Sequence, residues 1–289
     1  MTLIQYVQKL DRITFFRQTL FGLSWMLVTC LLVLGTVKTA TVSLETWGYI
    51  FLAFFSARTV GMCLNRLIDR YIDGQNPRTS NRPLQKGEVS VRFTAIQTAV
   101  FLLLFFISTV KIGPICFALS LVVGTLLCVY SYLKRFTMMC HFALGLVHLL
   151  VPVTCWAALT HELSIIPAFL GLSLLCSIAA ADIIYACQDV EFDRMHGLKS
   201  IPAWCGAKRA IEFAKFLHCM AVVFLLLFCD FFSDRKLLIL GALAVGYIYY
   251  ACYNKLASQG YEKSFSFANT FSGLTFFLFV LVDFLWHAL

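Results

Sequence analysis

Charge is scarce in this chain: Asp, Glu, Lys and Arg make up 13% of its 289 residues. A soluble domain carries about twice that share, so a soluble globule is disfavoured. Proline is sparse, at six residues, and no linker or low-complexity tract divides the sequence. One domain over 1–289 is therefore expected. No glycine fingerprint of a nucleotide site is present, which leaves oxidoreductase and nucleotide-binding readings without support. No C-x-x-C pair occurs among the 12 cysteines, nearly all of which fall in apolar runs. They read as small buried residues. His141, His148, His161, His196, His218 and His287 lack metal-like spacing and read as ordinary core residues.

What the chain has instead is apolar length. It is 60% hydrophobic, with a mean hydropathy of +0.83, and the excess is gathered in long runs. Nine spans are expected, near 19–37, 44–64, 92–110, 113–133, 140–160, 164–187, 214–232, 236–253 and 265–286. Each is about the 17–25 residues that a tilted helix needs to cross hydrocarbon. The first run is too long for a signal-peptide core, starts near residue 19 and has no A-x-A site after it, so it is kept as a helix. With nine spans, 18 of the 23 Lys and Arg residues fall on one side, while Lys38, Lys111, Arg235 and Lys236 fall on the other. Arg58 lies within a span. The positive-inside rule makes the rich side cytoplasmic, with the N-terminus in and the C-terminus out. An integral protein of a bacterial inner membrane is expected. The net charge of +8 is then a topology signal and implies no nucleic-acid partner; no obligate protein partner is inferred either.

Two cytoplasmic loops, 65–91 and 188–213, follow the second and sixth spans and resemble each other. The first reads Asp69-x-x-x-Asp73 then Pro83-x-x-x-Gly87, the second Asp189-x-x-x-Asp193 then Pro202-x-x-x-Gly206. The offset of about 120 residues also carries Tyr130 onto Tyr250 and Arg135 onto Lys255. A shift of four spans keeps direction across the membrane, so a parallel internal repeat is expected, with the two acidic loops facing each other.

Apolar periodicity runs into both motifs, so both helices are expected to continue through them. Asn65, Asp69 and Asp73 then share one face, as do Tyr185, Asp189 and Asp193, with Asp182 one turn earlier. Carboxylates one turn apart repel unless something positive sits between them. A hard divalent ion meets that need, because Mg²⁺ takes oxygen ligands and shares carboxylates with substrate phosphates. Arg66, Arg70, Arg78, Arg82, Lys134, Arg135 and Arg194 surround the acids, and this suits a Mg²⁺-bridged diphosphate. The plain alternative is loop acids paired with their own arginines; it suffices for one D-x-x-x-D, less well for two at matching places. A diphosphate whose carrier belongs in lipid is a polyprenyl diphosphate. Its departing pyrophosphate would leave an allylic cation for an aromatic ring to attack.

The stretches "NRLIDRYIDGQNPRTSNRPLQKG", "YSYLKR" and "DIIYACQDVEFDRMHGLKSIP" strongly resemble the UbiA family of intramembrane aromatic prenyltransferases. That resemblance implies an all-α bundle of nine transmembrane helices capped by the two acidic loops. It implies Mg²⁺ and diphosphate at Asn65, Asp69, Asp73, Asp189 and Asp193. Arg78, Lys134 and Arg135 match positions that contact phosphates, and Asp182 and Tyr185 the aromatic acceptor side. Arg66 departs from the Asn-Asp start of many relatives. The implied acceptor is an aromatic carboxylic acid, 4-hydroxybenzoate or 1,4-dihydroxy-6-naphthoate, in ubiquinone or menaquinone biosynthesis. Either carries a carboxylate, for which Arg17 is the candidate cation. Two other readings stand beside this one: an ion-coupled transporter, and prenylation of another acceptor such as haem.

Overall fold

The computed structural model describes residues 3–14, 19–37 and 42–288, and all regular structure among them is helical. In chain order the helices are α1 (Leu3–Thr14), α2 (Thr19–Thr36), α3 (Leu44–Ile68), α4 (Arg70–Gln75), α5 (Val91–Ile112), α6 (Pro114–Leu133) and α7 (Cys140–Thr160). They continue with α8 (Ile166–Ala186), α9 (Val190–Met195), α10 (Ile201–Cys205), α11 (Ala207–Asp230), α12 (Lys236–Gln259) and α13 (Tyr261–Ala288). Eight stretches, built on α3, α5, α6, α7, α8, α11, α12 and α13, are long and apolar enough to cross a membrane. A shorter apolar helix, Gly22–Thr36, lies within α2.

Local chemistry sets the ends of these helices. Ser43 and Ser90 cap α3 and α5 through their hydroxyls, which accept the N–H of Thr46 at 3.0 Å and of Phe93 at 3.1 Å. The fused apolar run of 92–133 divides at Gly113, which takes φ 154°, and Pro114 then opens α6 without needing an N–H partner. Inside the spans, Thr59, Thr98, Ser108 and Thr154 return their hydroxyls to the carbonyl four residues earlier. Hydrocarbon offers no other partner.

The chain forms two compact units. The first comprises Met1–Thr19 and Ser43–Tyr132. In it α3 packs along α5 and α1 lies against α3. Ile13, Cys63 and Val89 form a small core there, and Arg12 pairs with Glu88 at 3.0 Å. The second comprises Leu20–Val42 and Leu133–Leu289. Its centre is α8, against which α7, α11 and α13 pack. The α7–α8 approach depends on glycine. A Cβ on Gly145 would stand 2.7 Å from the Leu175 carbonyl oxygen, and one on Gly171 2.5 Å from that of Leu149. The buried Arg235 donates to Asp283 at 2.7 Å and to the Gly35 carbonyl at 2.6 Å, which ties the start of α12 to the ends of α13 and α2.

Candidate active site

The first acidic segment begins where α3 stops. Asp69 stands between α3 and α4 with φ −91° and ψ 4°, the sparsely occupied bridge region in which many site residues sit. Continuous helix was the expectation from periodicity, and a break at the acid is the finding. The hydrogen bonds nevertheless run through it. Asp69 N–H donates to the Asn65 carbonyl at 3.0 Å, and Asp73 N–H to the Asp69 carbonyl at 2.8 Å. Asn65, Asp69 and Asp73 therefore keep helical spacing.

The side chains then divide the work. The Asn65 amide donates to Asp69 Oδ2 at 2.8 Å and to Ser131 Oγ at 3.3 Å. Asp73 is buried at 7% exposure. Its Oδ2 receives Arg82 at 2.5 Å, with Arg66 at 4.0 Å. Arg66, the departure from the family pattern, thus adds charge beside Asp73. Arg78 lies in the following turn, where its backbone N–H caps on Asn76 Oδ1 at 3.0 Å.

The second segment repeats the break. After α8 comes a short 3₁₀ turn, Cys187–Asp189, and Asp189 takes φ −107° and ψ 9° before α9 begins. Asp193 is fully buried. Lys134 Nζ lies 2.8 Å from its Oδ1, and the Ser200 hydroxyl donates to its Oδ2 at 2.9 Å. Burial pulls the Lys134 ammonium toward neutrality, but the Asp193 carboxylate outweighs it and raises the Lys134 pKa above its ordinary value. Lys199 N–H donates to the Lys134 carbonyl at 2.7 Å. That bond joins the 134–139 link, which also carries Arg135, to the segment after α9. The two prolyl-to-glycine stretches end alike, with Gly87 at φ 71° and Gly206 at φ 84°.

Along α8 and its 3₁₀ turn, only Asp182, Tyr185 and Gln188 are incompletely buried between Ile178 and Asp189. Steps of three residues put them on one strip of the helix. Tyr185 lies against Phe265 in a tilted ring pair, with centroids 4.9 Å apart. Asp182 Oδ2 lies 2.6 Å from Nδ1 of the buried His141. Sequence reasoning passed over His141, because a lone histidine 41 residues from its partner carries no local signal. Arg17, the expected cation for the acceptor, lies outside the described residues. An intramembrane cation among the described residues is Arg58 of α3, seven residues before Asn65. It is on nearly the same face, about two turns and 10 Å away along the helix. Here a signal was legible, since a basic residue inside an apolar span is a functional candidate by default.

The residues suit a hard divalent cation. Asn65, Asp69, Asp73, Asp189 and Asp193 offer amide and carboxylate oxygens, with no thiolate or imidazole. Among the described residues, no three His, Cys, Asp or Glu side chains gather closely enough to hold a metal by themselves. Mg²⁺ seldom asks for more, since it is held by one or two carboxylates with phosphate oxygens and water completing its shell.

Residues 26–282 match the UbiA prenyltransferase family. The 4-hydroxybenzoate octaprenyltransferase of Francisella tularensis subsp. novicida (strain U112) is 30% identical over 234 residues, or 79% of this chain and 81% of that protein. An apo UbiA homolog from Aeropyrum pernix K1 superposes with a TM-score of 0.83 at 25% identity, over 92% of this chain and 98% of that one. A UbiA homolog from Archaeoglobus fulgidus bound to GPP and Mg²⁺ shares the fold, with a TM-score of 0.72 at 22% identity, over 97% of this chain and 100% of that one. Since the match runs from α2 to α13, the chain belongs to the UbiA prenyltransferase family and is an integral membrane enzyme of prenyl transfer.

Proposed function

We propose that the enzyme transfers a polyprenyl group from a polyprenyl diphosphate to an aromatic acid in quinone biosynthesis, with Mg²⁺ as cofactor. One observation carries this reading. Each acidic segment breaks its helix at the first aspartate, Asp69 or Asp189, with nearly the same backbone angles, and a buried second aspartate four residues on. That likeness also favours an internal repeat. With α2 counted as a ninth crossing and the N-terminus cytoplasmic, both segments would open at the inner face of a bacterial plasma membrane.

In this reading Asn65, Asp69, Asp73, Asp189 and Asp193 hold Mg²⁺ and diphosphate. The metal would supply positive charge against the departing pyrophosphate. Arg78, Lys134 and Arg135 supply charge-assisted hydrogen bonds to phosphate oxygens, which strengthen as the leaving group gains charge. The prenyl C–O bond breaks and pyrophosphate leaves with the electron pair. A carbon of the acceptor ring forms the new C–C bond and then sheds its proton. Asp182 and Tyr185 line the acceptor side. The acceptor carboxylate needs a cation, and Arg58 joins Arg17 as a candidate because an ionisable residue inside a span is a functional candidate by default.

The name borne by the relatives favours 4-hydroxybenzoate as acceptor. By resemblance to the futalosine-route enzymes, "NPRT" with the Asn65-Arg66 start, "YSYLKR" and "QDVEFDRMHGLKSIP" lean towards 1,4-dihydroxy-6-naphthoate. Family membership sets the transporter reading aside, and haem remains only as another acceptor for the same chemistry. The deciding experiment supplies enzyme-containing membranes with a polyprenyl diphosphate, Mg²⁺ and each aromatic acid in turn. Prenylation of one acid identifies the acceptor. Pyrophosphate release with neither acid prenylated would overturn the aromatic-acid assignment.

A further inference from the structure

We infer that His141 is the positioning residue for Asp182, and that it holds this carboxylate as the base that takes the phenolic proton of the acceptor. The inference rests on the aromatic-acid reading above and adds to it a residue with no place in the motifs.

The geometry begins with an incompletely buried acid on a buried helix. The Asp182 side chain is 30% exposed, whereas Ala180, Ala181, Ile183 and Ile184 around it are at 0%. An unrestrained carboxylate there would turn freely about χ1 and χ2. His141 prevents this, because its ring is 2% exposed and its Nδ1 meets Asp182 Oδ2 at 2.6 Å. The other ring nitrogen fixes the tautomer. Ile201 N–H donates to Nε2 at 3.4 Å, so Nε2 is the acceptor and the ring proton belongs on Nδ1, directed at Asp182. Oδ2 is thereby committed, and Oδ1 becomes the oxygen that accepts a proton.

The support behind His141 is shared with the diphosphate end. Ile201 follows Ser200, whose hydroxyl holds Asp193. Lys199, one residue earlier, donates its N–H to the Lys134 carbonyl, and Lys134 pairs with Asp193. Three consecutive residues thus tie the Asp193–Lys134 pair to the His141–Asp182 pair. The step balances as follows. The phenol gives its proton to Asp182 Oδ1, and the phenolate makes the neighbouring ring carbon nucleophilic. That carbon bonds to the prenyl carbon as the C–O bond breaks. The ring proton leaves with pyrophosphate, and Asp182 returns its proton to the phenolate oxygen.

The test uses purified full-length enzyme in nanodiscs, with geranyl diphosphate, Mg²⁺ and 4-hydroxybenzoate or 1,4-dihydroxy-6-naphthoate. His141→Leu is expected to lower kcat about a hundredfold at unchanged KM for the diphosphate, the low end of what a general base contributes. His141→Asn, which keeps a donor near the Nδ1 position, should recover most of the loss. Asp182→Asn should match His141→Leu, and the double variant should be no slower than either alone, as residues acting as a unit behave. A fluorinated, more acidic 4-hydroxybenzoate should narrow the gap between His141→Leu and wild type. Additive losses, or a raised KM for the diphosphate with kcat intact, would overturn the inference. A readout independent of the acceptor is the ¹⁵N spectrum of histidine-labelled enzyme, with His141 assigned by its loss in His141→Asn. A protonated Nδ1 is expected, and an unprotonated Nδ1 would sink the dyad even if the acceptor reading stood.

Discussion

The two acidic segments share a backbone and differ in how their charge is compensated. Asp69 and Asp189 interrupt their helices with dihedrals that differ by 16° in φ and 5° in ψ. Asp73 is held within its own segment by Arg82, nine residues on, with Arg66 behind it. Asp193 is held by Lys134, which is 59 residues away in sequence, and by the Ser200 hydroxyl. The first segment therefore carries its cations locally, whereas the second takes its cation from the link between α6 and α7. The two segments are thus alike in the first acid and its backbone angles, and unlike in what supports the second acid.

The largest expected effect tests what the segments have in common. Chelating divalent metal with EDTA should abolish prenyl transfer, with recovery on Mg²⁺ addition; transfer that persists after chelation would break the shared-ligand reading. Next, Asp69→Asn and Asp189→Asn should each lower kcat about a hundredfold, near 3 kcal/mol of transition-state stabilisation. The two losses should be equal within a few-fold, and a tenfold disparity would mean that the segments are not equivalent.

The difference between the segments can be probed by removing one cation from each. Arg82→Gln and Lys134→Gln should each slow transfer about tenfold, since each withdraws a charge-assisted bond from a buried carboxylate. Only Lys134→Gln should also raise the KM for the diphosphate, since Lys134 pairs with Asp193 and is the one of the two proposed to contact phosphate. Ser200→Ala should slow transfer by about fivefold, for the loss of one hydrogen bond worth about 1 kcal/mol. The smallest effect belongs to Lys111, exposed in the last turn of α5. Lys111→Ala should change turnover by less than about twofold, as surface substitutions usually do.

Much of this architecture was legible because a bilayer imposes a blunt rule on composition. Runs such as 140–160 and 113–133 reappear as α7 and α6 almost residue for residue. The acids were legible through four-residue spacing and repetition. The breaks at Asp69 and Asp189 were not, because apolar periodicity continues through them while the backbone departs from α-helix over only one to three residues. His141 was invisible for another reason. Its role exists only through Asp182 on α8 and Ile201 on α10, and a pattern read in windows cannot pair α7 with either. Arg58 lay in view as a charge in a span, and its seven-residue step to Asn65 was legible too, because periodicity already carries that helix through both residues.

The amino-acid sequence alone determined the helical class, the membrane setting and the identity of the acids, since hydrophobic length and charge placement act locally along the chain. Tertiary structure decided which cation serves which carboxylate, where each helix gives way, and which oxygen of Asp182 stays available. Those outcomes depend on directional bonds a few ångströms long between residues dozens of positions apart, and no local property of the chain encodes such a meeting.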